Sequence, residues 1–162
     1  MAAPSFRSAG TLSDALESVV PAPPAGAADG DIIFLMCVAD PVQPTLTANA
    51  TGWTQLGAVQ LSSLLRWVSV WWMRVSGSVP TMPTVYFGGG SRDGAVQTFA
   101  FAGCATTGTP FESDGLVDRG LSGSAGNPSA GLALTTTGAD RLGVHIWGVQ
   151  DDVAGSVSGW TE

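Results

Sequence analysis

The chain contains no lysine. Its positive charge comes from six arginines, set against 13 acidic residues, for a formal net charge of −7 over 162 residues. Charged residues make up 12% of the chain, about half the usual share. An acidic surface repels phosphate backbones and anionic headgroups, which argues against nucleic acid and membrane surfaces as partners. Histidine occurs once and cysteine twice. A structural zinc site takes four Cys or His ligands at close spacing, and no such set exists. Cys37 and Cys104 are too few for a disulfide framework. Two buried free thiols are the plain expectation, with a single bridge left open. No cofactor and no metal are expected. No uninterrupted apolar run reaches the length of a membrane span. Residues Met1 to Arg7 lack the apolar core of a secretory leader. The expectation is a soluble protein made in the cytosol. The missing lysine also fits cations held in fixed pairs at contacts, since guanidinium is planar and weakly hydrated. A GC-rich genome explains it equally well.

What is abundant points to strands. Glycine (22) and proline (10) make about a fifth of the chain, and 44% of residues are apolar. With so little charge and so much Gly, Thr, Ser and Val, an all-β domain is favoured over a helical one. Length predicts one domain able to bury a core without staples. Residues 1–17 read as an N-terminal arm or short first strand ending at Gly10, and 18–162 as a single β-sandwich domain, with room for missing last strands. Residues 12–20 fit a short helix or a strand. The strand is favoured near Pro21, because the residue before proline is pushed to extended geometry. Asp31 to Ala39 is the best central strand, short, continuous and apolar. Further strands are expected at 53–59, 64–75, 84–87, 95–102, 131–136 and 141–147, with a turn at Ser62-Ser63. Eight or nine short antiparallel strands with turn signals between them predict a β-sandwich or jelly roll with little helix. Residues 103–128 form a long loop, and such loops are usually functional.

The run from Leu64 to Val75 is the densest feature. With Trp53 just before it, it holds four of the six tryptophans, and it carries Arg66 and Arg74. Strand residues alternate between faces. One face takes Leu65, Trp67, Ser69, Trp71, Met73 and Val75, which reads as fully buried. The other takes Leu64, Arg66, Val68, Val70, Trp72 and Arg74, apolar in its middle and charged at its ends. That second face is expected to be partly covered by another layer or another subunit. A sequence echo adds to this: Thr51-Gly52-Trp53-Thr54-Gln55 returns as Ser158-Gly159-Trp160-Thr161-Glu162. If both copies lead into strands, the second leaves an open edge for another chain.

Chemistry is sparse. His145 lies between Val144 and Ile146 in a predicted strand, and no G-x-S-x-G elbow accompanies it. Gly88-Gly89-Gly90-Ser91-Arg92 lacks the G-K-[ST] ending that cradles phosphate and reads as a hairpin turn. Asp29 and Asp31 flank Gly30, and Asp151 adjoins Asp152. Calcium takes six to eight oxygens, so turn capping is the better reading. Glu112, Asp114 and Asp118 fall in the long loop, where nothing fixes the separation a glycosidase pair needs. Asn49-Ala50-Thr51 matches a glycosylation sequon but has no secretory context. No enzyme is expected.

The order Pro21-x-Pro-Pro, Gly30-Asp31-Ile-Ile-Phe-Leu, Gly52-Trp53-Thr, Val70-Trp-Trp-Met-Arg74 and Phe99-Ala-Phe-Ala-Gly103 resembles a loose group of jelly-roll virion proteins of tailed bacteriophages and prophages. The resemblance covers about residues 18 to 104. It implies a structural component of the virion, assembled in the host cytoplasm: a capsid decoration (cement) protein, a head spike or a tail module. Its motifs are structural, so no active-site residues carry over. The implied partners are the major capsid protein or other virion proteins, with self-assembly into a homo-oligomer. Contact residues expected on this reading are Arg66, Trp72, Arg74, Glu112, Asp114, Asp118 and Trp160. The alternative is a receptor- or carbohydrate-binding module of a tail fibre or head spike, with Trp53, Tyr86 and Trp160 available to stack on a surface glycan.

Overall fold

The structure, a computed structural model, describes residues 3–61, 66–89 and 93–111. Among them nine strands form: β1 (Ser5–Ala9), β2 (Ser13–Leu16), β3 (Ser18–Val19), β4 (Ile32–Ala39), β5 (Thr45–Leu46), β6 (Thr54–Leu61), β7 (Arg66–Arg74), β8 (Val85–Tyr86) and β9 (Asp93–Ala102). The described residues contain no helix. All pairing is antiparallel, in two sheets. The larger runs β1–β9–β4–β7–β6, with β2 taking the N-terminal half of β9 beside β1; the smaller runs β3–β8–β5. The pairing is nested. β1 and β2 pair with β9, β3 with β8 and β4 with β7, leaving β5 and β6 innermost. The two sheets make an all-β sandwich, with β5 and β6 in different sheets.

β4 occupies the centre as its composition requires. Each of its eight residues pairs with β7 on one side and β9 on the other. Leu35, Cys37 and Ala39 point toward the small sheet and pack with Trp71, Val85, Phe87 and Val96; Ile33 joins Met73, Val75, Met82 and Ala100. The alternate residues Ile32, Phe34 and Met36 point the other way, to Val70, Trp72, Phe99 and Phe101. The large sheet therefore has apolar side chains packed on both faces. Each large side chain buried contributes roughly 1.5–3 kcal/mol.

From Ser69 to Val75 the expected faces of β7 are the observed ones: Ser69, Trp71, Met73 and Val75 are buried on the inner side, and Val70 and Trp72 lie on the outer. Trp67, expected to be buried with them, is half-buried, and Leu65 lies outside the described residues. Cys37 and Cys104 are both free thiols in different clusters, one between the sheets and one on the outer face. Burial pushes both thiols up from the ordinary value.

The strand expected before Pro21 is β3, in the small sheet, and Ser13–Leu16 forms β2 in the large one; Glu17, at φ 66°, turns the chain between them. β1 and β2 both pair with β9. One expectation changes. Gly88 to Arg92 does not close a hairpin, because β8 and β9 sit in different sheets. Phe87 is fully buried and its ring packs on Gly94, so the chain must cross between layers there. The expected turn at 62–63, the strands at 131–136 and 141–147, His145 and the second Gly-Trp lie outside the described residues.

Gly10 joins β1 to β2 where space is shortest. Its N–H donates to the Thr98 carbonyl at 2.9 Å, and the Thr98 hydroxyl donates to the Ala22 carbonyl at 2.6 Å. A methyl at Gly10 would fall on the Ala22 carbonyl oxygen and on Thr98 Oγ1. Gly10→Ala should therefore cost about 1–3 kcal/mol, the usual penalty of overpacking. A denaturant midpoint lowered without a change in slope checks it.

Candidate interaction face

The outer face of the large sheet is the most distinctive surface. Five aromatic rings cross it in sequence, each meeting the next edge-on or tilted. Ring centroids lie 5.7 Å apart for Phe6–Phe101, 5.6 Å for Phe101–Phe34, 5.5 Å for Phe34–Phe111 and 5.2 Å for Phe111–Trp72. Such contacts add about 0.5–1.5 kcal/mol each beyond burial. β9 and β4 supply the middle rings, and β7 supplies Trp72. Phe6 arrives from the edge strand and Phe111 from the segment after β9.

That segment is held in place by Arg74. The guanidinium at the end of β7 donates from Nη1 to the Ala105 carbonyl and from Nη2 to the Gly108 carbonyl, the latter at 3.0 Å. Two carbonyls taken by one planar cation fix a short loop at low entropic cost. Residues 105–109 are exposed on this mount, while Cys104 and Phe111 pack down on either side of them. A rigid anchor displaying an exposed loop is the usual form of a binding element.

The remaining polar groups hold the frame. Arg7 sits at an irregularity in the β1–β9 register between Phe6 and Ser8. Its Nε lies 2.6 Å from Asp31 Oδ2, and its Nη2 donates to Oδ1 at 3.1 Å. Asp31 is 3% exposed and also accepts the Ala28 N–H at 2.8 Å. Asp29 accepts the Gly77 N–H at 2.7 Å. Both carboxylates flanking Gly30 thus act on turns, as turn capping predicted.

Of the expected contact residues, Trp72 and Arg74 come together on this face, and their visible contacts are within the chain. Arg66 opens β7, opposite Leu61. Glu112, Asp114, Asp118 and Trp160 lie outside the described residues. Sequence reading missed Phe6, Phe111 and Arg7. A lone phenylalanine carries no periodic signal, and Arg7 falls in a segment that reads as an arm or short first strand. Of the aromatic candidates of the glycan reading, the two described ones do not line one cleft. Trp53 packs against both inner clusters and lines a shallow cleft of about 250 Å³ with Gln43, Thr45, Gln55 and Trp71. Tyr86 points to solvent from β8 and does not line the cleft.

No protein-family model, no curated protein and no solved structure matches this chain.

The geometry makes a specific claim about Arg74. Arg74→Ala should release residues 105–109, giving much faster amide exchange there while amides of β4 keep their protection. Hydrogen exchange with mass readout resolves the two regions.

Proposed function

We propose that the chain is a virion structural protein of the tailed-phage kind, a capsid decoration protein that binds and stabilises an assembled shell. Fold alone does not carry function, so the reading has to rest on a surface. The observation that carries it is the 105–109 loop, displayed by Arg74 beside an aromatic face and free of obligations to the core. The motifs behind the phage resemblance support it, since each has a structural task in this sandwich. The segment from Pro21 to Pro24 packs onto the inner side of β9 through Ala22. Gly30-Asp31 anchors the entry to the central strand, and Val70 to Arg74 builds the outer face and its loop mount.

Arg7, Asp29, Asp31, Arg74 and Thr98 all serve to hold strands, turns and the loop mount, structural tasks that suit an adhesive domain. A protein that binds only the assembled shell stabilises it by mass action. A second reading, carbohydrate binding, is favoured by the cleft at Trp53, where two glutamines and a threonine stand ready for hydroxyl groups.

The test uses particles purified from the organism that encodes the chain. The protein should be present at on the order of hundreds of copies per head, as the symmetry of a shell requires. Thr107→Arg, at an exposed loop position, should weaken particle binding tenfold or more and lower the heat resistance of the particles, with the protein's own melting temperature unchanged. A count of a dozen or fewer per particle, or full binding by the variant, would contradict the shell reading.

A further inference from the structure

The cleft at Trp53 opens where both sheets end. β5 is the last strand of the small sheet and β6 the last of the large one, and no further strand closes the sandwich on that side among the described residues. Its walls follow from local sequence. Ala50 to Trp53 is a tight turn: the Trp53 N–H donates to the Ala50 carbonyl at 3.1 Å, and Gly52 takes φ 87°, a conformation that favours glycine. The turn sets Trp53 at the head of β6. Gln55 then stands directly opposite Trp71 in the ladder, so its side chain shares the inner face with that ring. Leu46 and buried Trp71 bring the inner core to the cleft, and Gln43 and Gln55 add carboxamides.

Three polar groups here are unemployed by the fold. Neither carboxamide makes a hydrogen bond among the described residues, whereas Gln97 gives its own to the Gly10 carbonyl at 3.1 Å. The indole N–H of Trp53 is shielded from water and also lacks a partner among the described residues. Buried donors are rarely left so. No charged residue lines the cleft, in a chain of net charge −7. Such a lining offers nothing to balance an ion, and the surrounding field repels anions.

We propose that the cleft takes one neutral pyranose ring, the end residue of an uncharged glycan. The proposal rests on the carbohydrate reading above and narrows it. A pyranose has a C–H face that suits tryptophan surface, and hydroxyls at its edge that both donate and accept, as a carboxamide does. Two indoles and two carboxamides meet both needs. Size sets the limit of one ring. Sites that enclose a drug-sized ligand run to about 300–1,000 Å³, and this cleft, at about 250 Å³, falls below them. The other sugars of a chain stay in solvent. A hydroxyl oxygen seated against Trp53 gives its N–H an acceptor once the half-buried ring turns toward the ligand. Acidic sugars are disfavoured, because a carboxylate desolvated there would have no cation to pair with.

Ligand-observed NMR with the full chain tests this. The probes are methyl pyranosides of glucose, galactose, mannose and N-acetylglucosamine, beside methyl glucuronide and N-acetylneuraminic acid. At least one neutral pyranoside should bind, with a dissociation constant in roughly the millimolar range of so small a ligand. The acidic sugars should bind at least tenfold more weakly. Gln43→Leu/Gln55→Leu should weaken the neutral sugar at least tenfold with the melting temperature unchanged, since neither carboxamide holds the fold. Acidic sugars bound as tightly overturn the neutral assignment, and neutral binding untouched by the leucine pair takes the sugar off this cleft. Binding of oligosaccharides but of no single ring overturns the one-ring limit. Each of these leaves the carbohydrate reading standing. No binding by any of the probes, nor by oligosaccharides on a glycan array, overturns the inference and that reading together.

Discussion

The main-chain pairing of β4 on both sides constrains everything else. Once Ile32–Ala39 bonds to β7 and to β9, its side chains must divide between two faces. Because nearly all eight are apolar, neither face can be left to water. The inner face is closed by the small sheet, whose three strands of two residues each present Val19, Leu46 and Val85. The outer face needs its own cover. Cys104 and Phe111 supply part of it, and Arg74 holds the segment that bears them. The Arg7–Asp31 pair serves the same end, fastening the edge strand to the start of β4 where a buried carboxylate would otherwise stand uncompensated.

Much of this was legible in the sequence because strand periodicity is a local signal. The run Ile32 to Ala39 reads as central since it has no polar alternation, and it is central. The faces of β7 from Ser69 to Val75 follow from counting by twos. What could not be read was any property that depends on pairing between distant segments. Thr45-Leu46 is a strand only because β8 pairs with it. The glycine run after Phe87 resembles a hairpin turn locally, yet Phe87 needs the core between the sheets and takes the chain across. Arg7 and Asp31 are 24 positions apart, with nothing in either neighbourhood to announce the other.

The candidate site shows the same split. Trp72 and Arg74 were identifiable as residues with something to do beyond the inner core. Their partners, Phe111 and the carbonyls of Ala105 and Gly108, were not, because a loop has no period to reveal which residue turns inward. The functional consequence is an outer face assembled partly by its own chain, with an exposed loop mounted on it. Binding surfaces often take this form, a rigid sheet carrying a few displayed residues whose order is set before the partner arrives.

The central claim is that the large sheet carries two cores, one on each side of β4. Neighbouring residues Phe34 and Leu35 report on them separately, and equilibrium denaturation of Phe34→Ala and Leu35→Ala measures both. Each substitution should cost core-sized stability, about 3–5 kcal/mol for phenylalanine and about 2–5 kcal/mol for leucine. A loss below about 1 kcal/mol for Phe34→Ala, beside a full loss for Leu35→Ala, would mean the outer face is an ordinary surface and would contradict the account.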